Sequence, residues 1–276
     1  MTYRELLSRL ADISPEEYEH EAKILVETFT DKKIWSVSLD KDSELDSEEL
    51  EEALKKREAR VPLQYILGKW EFYRQTYYVD ESCLIPRSDT EILVQLAIEM
   101  LPHGAHFSDL CTGSGCIAIS VLSEREDTSA VLVDKFPQTL DMARKNAEHN
   151  RVTDRAEMIL MDVLEEEGEF ERRAFDAILS NPPYIRSEVV KTLSEEVRKE
   201  PHAALDGGGD GLTFYRAIIT NYMKYLKEEG FMLLEIGYDQ AEDIISICRT
   251  ESLSCEIFKD YGGRDRVAKV SRTSRS

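Results

Sequence analysis

Between residues 15 and 60 the apolar positions fall at helical spacing. After Pro15, Tyr18, Ala22, Leu25, Val26 and Phe29 return to one side of a helix, with acidic residues between them. Ser14, with Glu17 three residues on, reads as an N-cap and capping box for that helix. A second helix is predicted over 47–59, capped by Ser47, with Leu50, Ala53 and Leu54 on its apolar side. Residues 61–88 change character: EFYRQTYYV and CLIP are aromatic and β-branched, the pattern of short strands or a hairpin linking two domains. From Asp89 onward the periods alternate. The strand-like runs HFSDL, SAVLVD, AEMILMD, FDAILS and GFMLLEIG are interleaved with the helical runs DTEILVQLAIEML, GCIAISVLS, PQTLDMARKNAEHN, LTFYRAIITNYMKYL and DQAEDIISICR. Such alternation predicts an α/β fold, a parallel sheet with helices on both faces. The chain closes on two strands, SCEIFKD and DRVAKV, joined by the turn YGGR, and EEEGEFE (165–171) reads as a solvated turn.

Composition narrows the functional classes. The 276 residues suit one large domain or one large and one small, at roughly 150 residues per domain. With 42% hydrophobic residues the chain can build a real core. Lys and Arg total 35 against 55 Asp and Glu, a net charge of −20 that repels phosphate backbones and argues against a large duplex-binding face. Residues 1–60 hold 17 acids and 10 bases, so they read as a small helical domain rather than a nucleic-acid arm. The cysteines at 83, 111, 116, 248 and 255 form no Cys-x-x-Cys and have no His at ligand spacing, so no metal site is expected. Scattered thiols, and acids in the opening MTYRELLSRLADISPEE where a signal sequence needs an apolar run, point to the cytoplasm. No apolar run approaches the ~20 residues of a membrane span.

DLCTGSGCIAIS sets Gly113 and Gly115 between a predicted strand and a predicted helix. Glycine lets the backbone approach a ligand closely, and the helix N-terminus behind it offers free N–H groups. Asp134 ends the next strand, where its carboxylate can accept hydrogen bonds from a ribose diol. GSGCIA also satisfies G-x-G-x-x-A, which keeps a nicotinamide-dependent enzyme as an alternative. The late hairpin is instead the sheet ending of the S-adenosylmethionine-dependent methyltransferases.

NPPY at 181–184 follows the strand FDAILS directly, so it should face the same crevice as the glycine loop. Two prolines fix φ and donate no N–H. The Pro182 carbonyl and the Asn181 side-chain oxygen are then two acceptors, beside the flat face of Tyr184. Such a pair suits a planar –NH2: hydrogen bonds to both protons orient the nitrogen for in-line attack on an electrophilic methyl. Adenine, cytosine and an amide all satisfy that geometry.

Nearly the whole chain resembles the release-factor glutamine methyltransferases. The resemblance rests on PLQYILGKWEFY (62–73), LIPRSDTEILV (84–94), DLCTGSGCIAIS, NPPYI, LDGGGDGLTFYRAII (205–219), LLEIGYDQ (233–240) and KDYGGRDRV (259–267). It implies a Rossmann-like class I methyltransferase sheet with a small N-terminal helical domain. It further implies a helical substrate-docking domain at 1–60, a linker with a short β-hairpin at 61–88 and a catalytic domain at 89–276. The implied reaction moves a methyl group from S-adenosylmethionine, leaving S-adenosylhomocysteine, to the glutamine amide in the Gly-Gly-Gln motif of class I peptide chain release factors. The implied setting is translation termination, with no stable nucleic-acid partner. A nucleic-acid amino-methyltransferase using the same NPPY pocket is the alternative.

By position, the implied cofactor loop is Cys111, Thr112, Gly113, Ser114 and Gly115, the ribose acid is Asp134, and Asp162 and Val163 lie near the adenine. Asn181, Pro182, Pro183 and Tyr184 form the implied glutamine pocket, with Asn181, Pro182 and Tyr184 catalytic and Asn181 also next to the methyl donor. Three positions depart from the family: Cys111 replaces a usual glycine, Arg74 a small residue and Ser88 a proline. A negative φ at Cys111 changes little, whereas a positive φ is expected to weaken cofactor binding. DGGGDG (206–211) reads as a flexible substrate-covering loop, Arg87 and Glu91 as candidate pocket residues, and His149 and His202 as surface residues. Residues 259–276 carry six bases against two acids, a basic patch.

Overall fold

The computed structural model describes residues 1–165 and 174–273. Most of the run 165–171, and the last three residues of the basic tail, therefore lie outside the described residues. The chain divides into two compact units, Met1–Gly68 with Ser194–Lys199, and Lys69–Leu193 with Glu200–Ser276.

The first unit is helical: α1 (Tyr3–Ala11), α2 (Tyr18–Phe29), α3 (Ile34–Leu39), α4 (Glu48–Glu58) and α5 (Leu63–Leu67). Leu6, Leu10, Leu25, Val26, Leu50 and Leu54 form its dry centre. Ser47 caps α4 by accepting from the Leu50 N–H, as the pattern predicts. The capping box predicted at Ser14 is not formed, because the Ser14 N–H closes back on Leu10 O and delays α2 to Tyr18. The capping box in this unit belongs to α1, between Thr2 and Glu5. Arg57 is fully buried and is held by Glu21 at 2.9 and 3.0 Å and by Glu196 at 3.1 Å, so the burial of its charge is matched by hydrogen-bonded carboxylates. Helix α5 lies inside the predicted linker, and the helical unit runs on to Gly68.

The second unit opens with the hairpin β1 (Lys69–Phe72) and β2 (Gln75–Tyr78). Its two-residue turn puts Tyr73 (φ 44°) and Arg74 (φ 71°) in the left-handed region, which is why small residues suit position 74. CLIP forms no strand. There follow α6 (Glu91–Met100), β3 (His106–Leu110), α7 (Cys116–Glu124), β4 (Ser129–Asp134), α8 (Pro137–His149), β5 (Ala156–Leu160), β6 (Phe175–Ser180) and α9 (Ser187–Val190). The unit ends with α10 (Thr213–Tyr222), β7 (Leu226–Glu235), α11 (Ala241–Thr250), β8 (Leu253–Lys259) and β9 (Asp265–Arg272).

Seven strands form one sheet in the order β5-β4-β3-β6-β7-β9-β8, parallel except for β9, which is inserted antiparallel between β7 and β8. Strand residues alternate between the two faces. Ala130 and Leu132 pack with α6, α7 and α8, while Val131 and Val133 pack with α10 and α11. No helix among the described residues is long and apolar enough to cross a membrane.

Register decides where chemistry can collect. Leu110 of β3 pairs with Val133 of β4 and Ser180 of β6, and Ser180 pairs with Leu234 of β7. The next residue on each parallel strand stands at the carboxyl edge, so Asp134, Cys111, Asn181 and Glu235 form one row across four neighbouring strands.

Candidate active site

A cavity of about 400 Å³ opens at that edge, within the range of small-molecule sites. Cys111, Thr112, Gly113 and Ser114 form one wall, with Asp134 beside them and Asn181 and Pro183 facing them. The β3–α7 loop is a left-handed turn built on carboxylates. Cys111 has φ 58°, Gly113 φ 58° and Gly115 φ 81°, and Gly115 caps α7. At Gly115 a Cβ would meet Ile119 Cδ1 at 2.7 Å, so glycine is required for space as well as for φ. Below the loop, Asp109 Oδ2 accepts from Thr112 Oγ1 at 2.7 Å and from the Ala118 N–H at 3.3 Å. Burial pushes this carboxyl up to about 7 in spite of those bonds.

Asp134 shapes the loop from the side. Its Oδ2 accepts from the Gly113 N–H and its Oδ1 from the Phe136 N–H, each at 3.1 Å. Burial raises its carboxyl, with the two N–H groups opposing that shift. The Ser114 hydroxyl is buried without a hydrogen-bond partner. Burial, with Asp134 and Asp109 close by, pushes the Cys111 thiol well up, so it stays protonated and unreactive. Val163 lines the cavity, whereas Asp162 does not, because Lys135 Nζ holds its carboxylate at 2.9 Å.

The opposite wall departs from the sequence reading in one respect. Pro182 is buried and Tyr184 is turned away, so neither lines the cavity. The Tyr184 hydroxyl donates to Glu235 Oε1 at 3.4 Å and its carbonyl accepts from Gln240 Nε2 at 3.1 Å, which docks the ring on the α10–α11 face instead of offering it to a ligand. Asn181 Nδ2 donates to Thr90 Oγ1 at 3.2 Å. No described residue donates to Asn181 Oδ1 or to the Pro182 carbonyl.

The DGGGDG segment is tied down rather than loose. The Gly207 N–H donates to Ile185 O at 2.8 Å, the Ser187 N–H donates to Gly208 O at 3.0 Å, and Asp206 accepts from Ser187 Oγ at 2.6 Å. The close approach explains Gly207, where a Cβ would meet Tyr184 Cα at 2.7 Å. His202 is exposed, as the sequence suggests, and stands at the rim of the cavity 3.8 Å from Asp206. Arg87 also lines it, paired with the buried Glu200, while Glu91 instead accepts from the Tyr73 N–H at 3.1 Å. Part of the basic patch is paired: Arg266 with Asp260 and Asp89 and Lys259 with Asp265, while Arg272 donates to backbone carbonyls.

Residues 88–234 match the Methyltransferase small domain and residues 2–68 the PrmC N-terminal domain. The release factor glutamine methyltransferase of Clostridium botulinum is 34% identical over 262 residues, covering 92% of this chain and 92% of that protein. The chain belongs to the release factor glutamine methyltransferase family. A second family member, from Geobacter sulfurreducens, is 40% identical over 214 residues, 77% of this chain and 74% of its own. The fold recurs in a ribosomal protein L11 methylase from Lactobacillus delbrueckii subsp. bulgaricus, with TM-score 0.51 and 21% identity, covering 71% of this chain and 84% of that one.

In this member of the methyltransferase family, several residues that build the site gave no motif. Asn146 is one: buried in α8, it donates to Ser114 O at 2.9 Å and accepts from the Tyr78 N–H at 2.7 Å, joining the hairpin to the glycine loop. Its signal is a polar residue on the face carried by Leu140, Ala143 and Ala147. Thr90, Glu200 and Glu235 are likewise buried polar groups visible only once the strands are in register.

Proposed function

We propose that this protein transfers a methyl group from S-adenosylmethionine to the side-chain amide nitrogen of the glutamine in the Gly-Gly-Gln motif of a class I peptide chain release factor, in the cytoplasm and in support of translation termination. The observation that carries this reading is the edge row Asp134–Cys111–Asn181, which sets the glycine loop and the Asp134 carboxylate opposite the unused side-chain oxygen of Asn181. The cavity fits the methyl donor: it offers a carboxylate for a diol, an unpartnered buried hydroxyl at Ser114 and apolar walls at Ile117, Phe136 and Val163. Cys111–Gly115 and Asp134 would hold that donor, with Val163 near its base and Asp162 fixing Lys135. Bound there, S-adenosylmethionine supplies an electrophilic methyl on a sulfonium whose departure needs no acid.

The protein's own work is then orientation. Asn181 Oδ1, on the cavity wall, accepts an amide proton of the glutamine, which orients the nitrogen and raises its electron density. Pro182 and Pro183 carry no N–H that could compete for that acceptor. The helical domain, residues 1–60 in this reading, docks the release factor, and residues 89–276 carry the catalysis. The name and coverage of the relatives support the substrate class. Peptide mapping by mass after incubating a release factor with enzyme and methyl donor tests the reading. One added methyl on the Gly-Gly-Gln glutamine is the expected result; an unmodified glutamine would sink it.

A further inference from the structure

The turn 181–184 carries the oxygen on which the proposed transfer depends, yet its middle is poorly equipped to hold itself in place. Pro182 and Pro183 donate no N–H, so the turn has to be fixed from its two ends. At the entry Ser180 is fully buried, in register with Leu110 and Leu234, and its Oγ donates to Leu110 O at 2.6 Å. At the exit the Tyr184 carbonyl accepts from Gln240 Nε2 at 3.1 Å. Gln240 precedes α11, is 5% exposed and does not line the cavity. The same Nε2 donates to Gly211 O at 3.2 Å, and Oε1 accepts from the Gly237 N–H at 2.9 Å. Carbonyls only accept and a backbone N–H only donates, so this amide has one orientation, and turning it over would lose all three bonds. Gly211 approaches so closely that a Cβ there would meet Tyr184 O at 2.5 Å. The next residue of the chain, Ile185, donates to Leu205 O at 3.0 Å and accepts from the Gly207 N–H at 2.8 Å. The DGGGDG segment and Gln240 thus grip the exit of the turn together.

We propose that Gln240 is a positioning residue for the methyl transfer, which holds the exit of the 181–184 turn and so sets where the Asn181 oxygen stands. It acts through Tyr184 and two residues whose φ is fixed by a ring, a stretch too stiff to absorb a shift at its end. Released from Gln240, the Tyr184 carbonyl is free to move, and the prolines carry that movement back to Asn181. The cofactor loop lies after β3 and is closed on Asp109 and Asp134, so it keeps its shape when the turn moves. Gln240 therefore governs orientation of the amide and leaves the methyl donor in place. Its role rests on the glutamine methylation proposed above.

The test uses the full-length enzyme with a class I release factor as substrate, well below the thermal midpoint of each variant. Gln240→Met keeps the length of the side chain and removes the amide. It should lower kcat about tenfold to a hundredfold, the range for a reacting group displaced by about 1 Å, with S-adenosylhomocysteine affinity within about twofold of wild type. In an Asn181→Ala background the same change should cost no more than about twofold, since no oxygen is left to place. A residue that only stabilised the fold would lower the denaturant midpoint and leave kcat of the folded enzyme alone. Gly211→Ala, which drives a methyl at Tyr184 O from the other side, should lower kcat in the same direction and serves if the methionine variant does not fold. Wild-type kcat in a folded Gln240→Met overturns the assignment, as do losses that multiply with Asn181→Ala or a cofactor affinity that falls along with kcat. If the wild-type enzyme leaves the glutamine unmodified, the functional reading has failed before any variant is compared.

Discussion

The two walls of the cavity are built by opposite uses of the backbone. After β3 the chain turns left-handed at Cys111, Gly113 and Gly115, and the N–H groups of Thr112, Gly113 and Gly115 close on Val133 O, Asp134 and Thr112 O. After the neighbouring β6 two prolines stiffen the chain and remove N–H groups, so carbonyl and amide oxygens dominate. One wall, the methyl-donor wall on the proposed function, is thus a loop closed on the protein's own acceptors, and the other leaves the Asn181 side-chain oxygen without a partner, on adjacent parallel strands at the same register. Each also rests on a buried carboxyl pushed up to about 7, Asp109 beneath the first and Glu235 beside the second. On the proposed function the two walls have separate tasks: the loop holds the methyl donor, and the Asn181 wall orients the amide.

The contrast breaks most sharply at Asn181. On the proposed function, Asn181→Ala removes a preorganised acceptor and should lower kcat about 10²- to 10³-fold. Calorimetric titration with S-adenosylhomocysteine should show cofactor affinity within about threefold of wild type. A large loss of cofactor affinity in this variant would mean the two walls are not separable.

The two buried acids sharpen the comparison through pH. Burial raises each carboxyl to about 7 in the folded state, from ordinary values of 3.8 for Asp109 and 4.5 for Glu235. Protonated, they favour the folded state; that contribution is complete below the unfolded values and is lost as pH rises through about 7. The change is on the order of 3–4 kcal/mol for each group. Denaturant midpoints of the wild type should fall as pH rises from about 4 to about 7 and level off above, and Asp109→Asn or Glu235→Gln should each flatten the fall. Asp109→Asn should also alter cofactor affinity, since Asp109 holds Thr112 of the loop. A wild-type midpoint that does not change over that interval would contradict the burial argument.

A smaller effect is expected from Gly115→Ala. The added Cβ meets Ile119 Cδ1 at 2.7 Å, with Ala143 and Leu132 at 3.3 Å, on a backbone at φ 81°. Left-handed strain costs about 1–2 kcal/mol in free and bound protein alike, so the denaturant midpoint should fall by that order, while displacement of the start of α7 by the clash lowers cofactor affinity severalfold with kcat at saturation little changed. A fall in saturated kcat with unchanged affinity would reverse the roles of the walls.

Much of this arrangement was legible before any coordinates. Strand and helix periods place every strand of the sheet, and motif spacing brings Gly113, Asp134 and Asn181 to one edge. What stayed hidden shares one physical cause, that it depends on pairing between distant residues. Asn146 looks like an ordinary polar helix residue until β2 supplies the N–H it accepts. Tyr184 looks free to stack until Glu235 and Gln240 take its hydroxyl and carbonyl. Arg266 looks like part of a local basic run until Asp89, far off in sequence, comes round to meet it. Ser14 looks like a cap because the pattern reads forward, whereas its N–H is used backward by α1.

The finest test of the donor wall is Cys111. Its φ of 58° is left-handed, the case in which the sequence leads one to expect weakened cofactor binding. The structure moves that cost elsewhere. The left-handed turn is already formed with the Gly113 N–H on Asp134 and Thr112 on Asp109, so the strain belongs to folding and not to binding. Cys111→Gly relieves about 1 kcal/mol of strain but gives the unfolded chain extra freedom of roughly 0.5–1 kcal/mol and loses thiol packing. Stability should therefore move by less than about 1 kcal/mol, read as a denaturant midpoint. Cofactor affinity should stay within about threefold of wild type, since free and bound proteins share the strained turn. A tenfold gain in affinity from this one glycine would show that residue 111 turns left-handed only when the ligand arrives, and that the donor wall is assembled by its ligand rather than by Asp109 and Asp134.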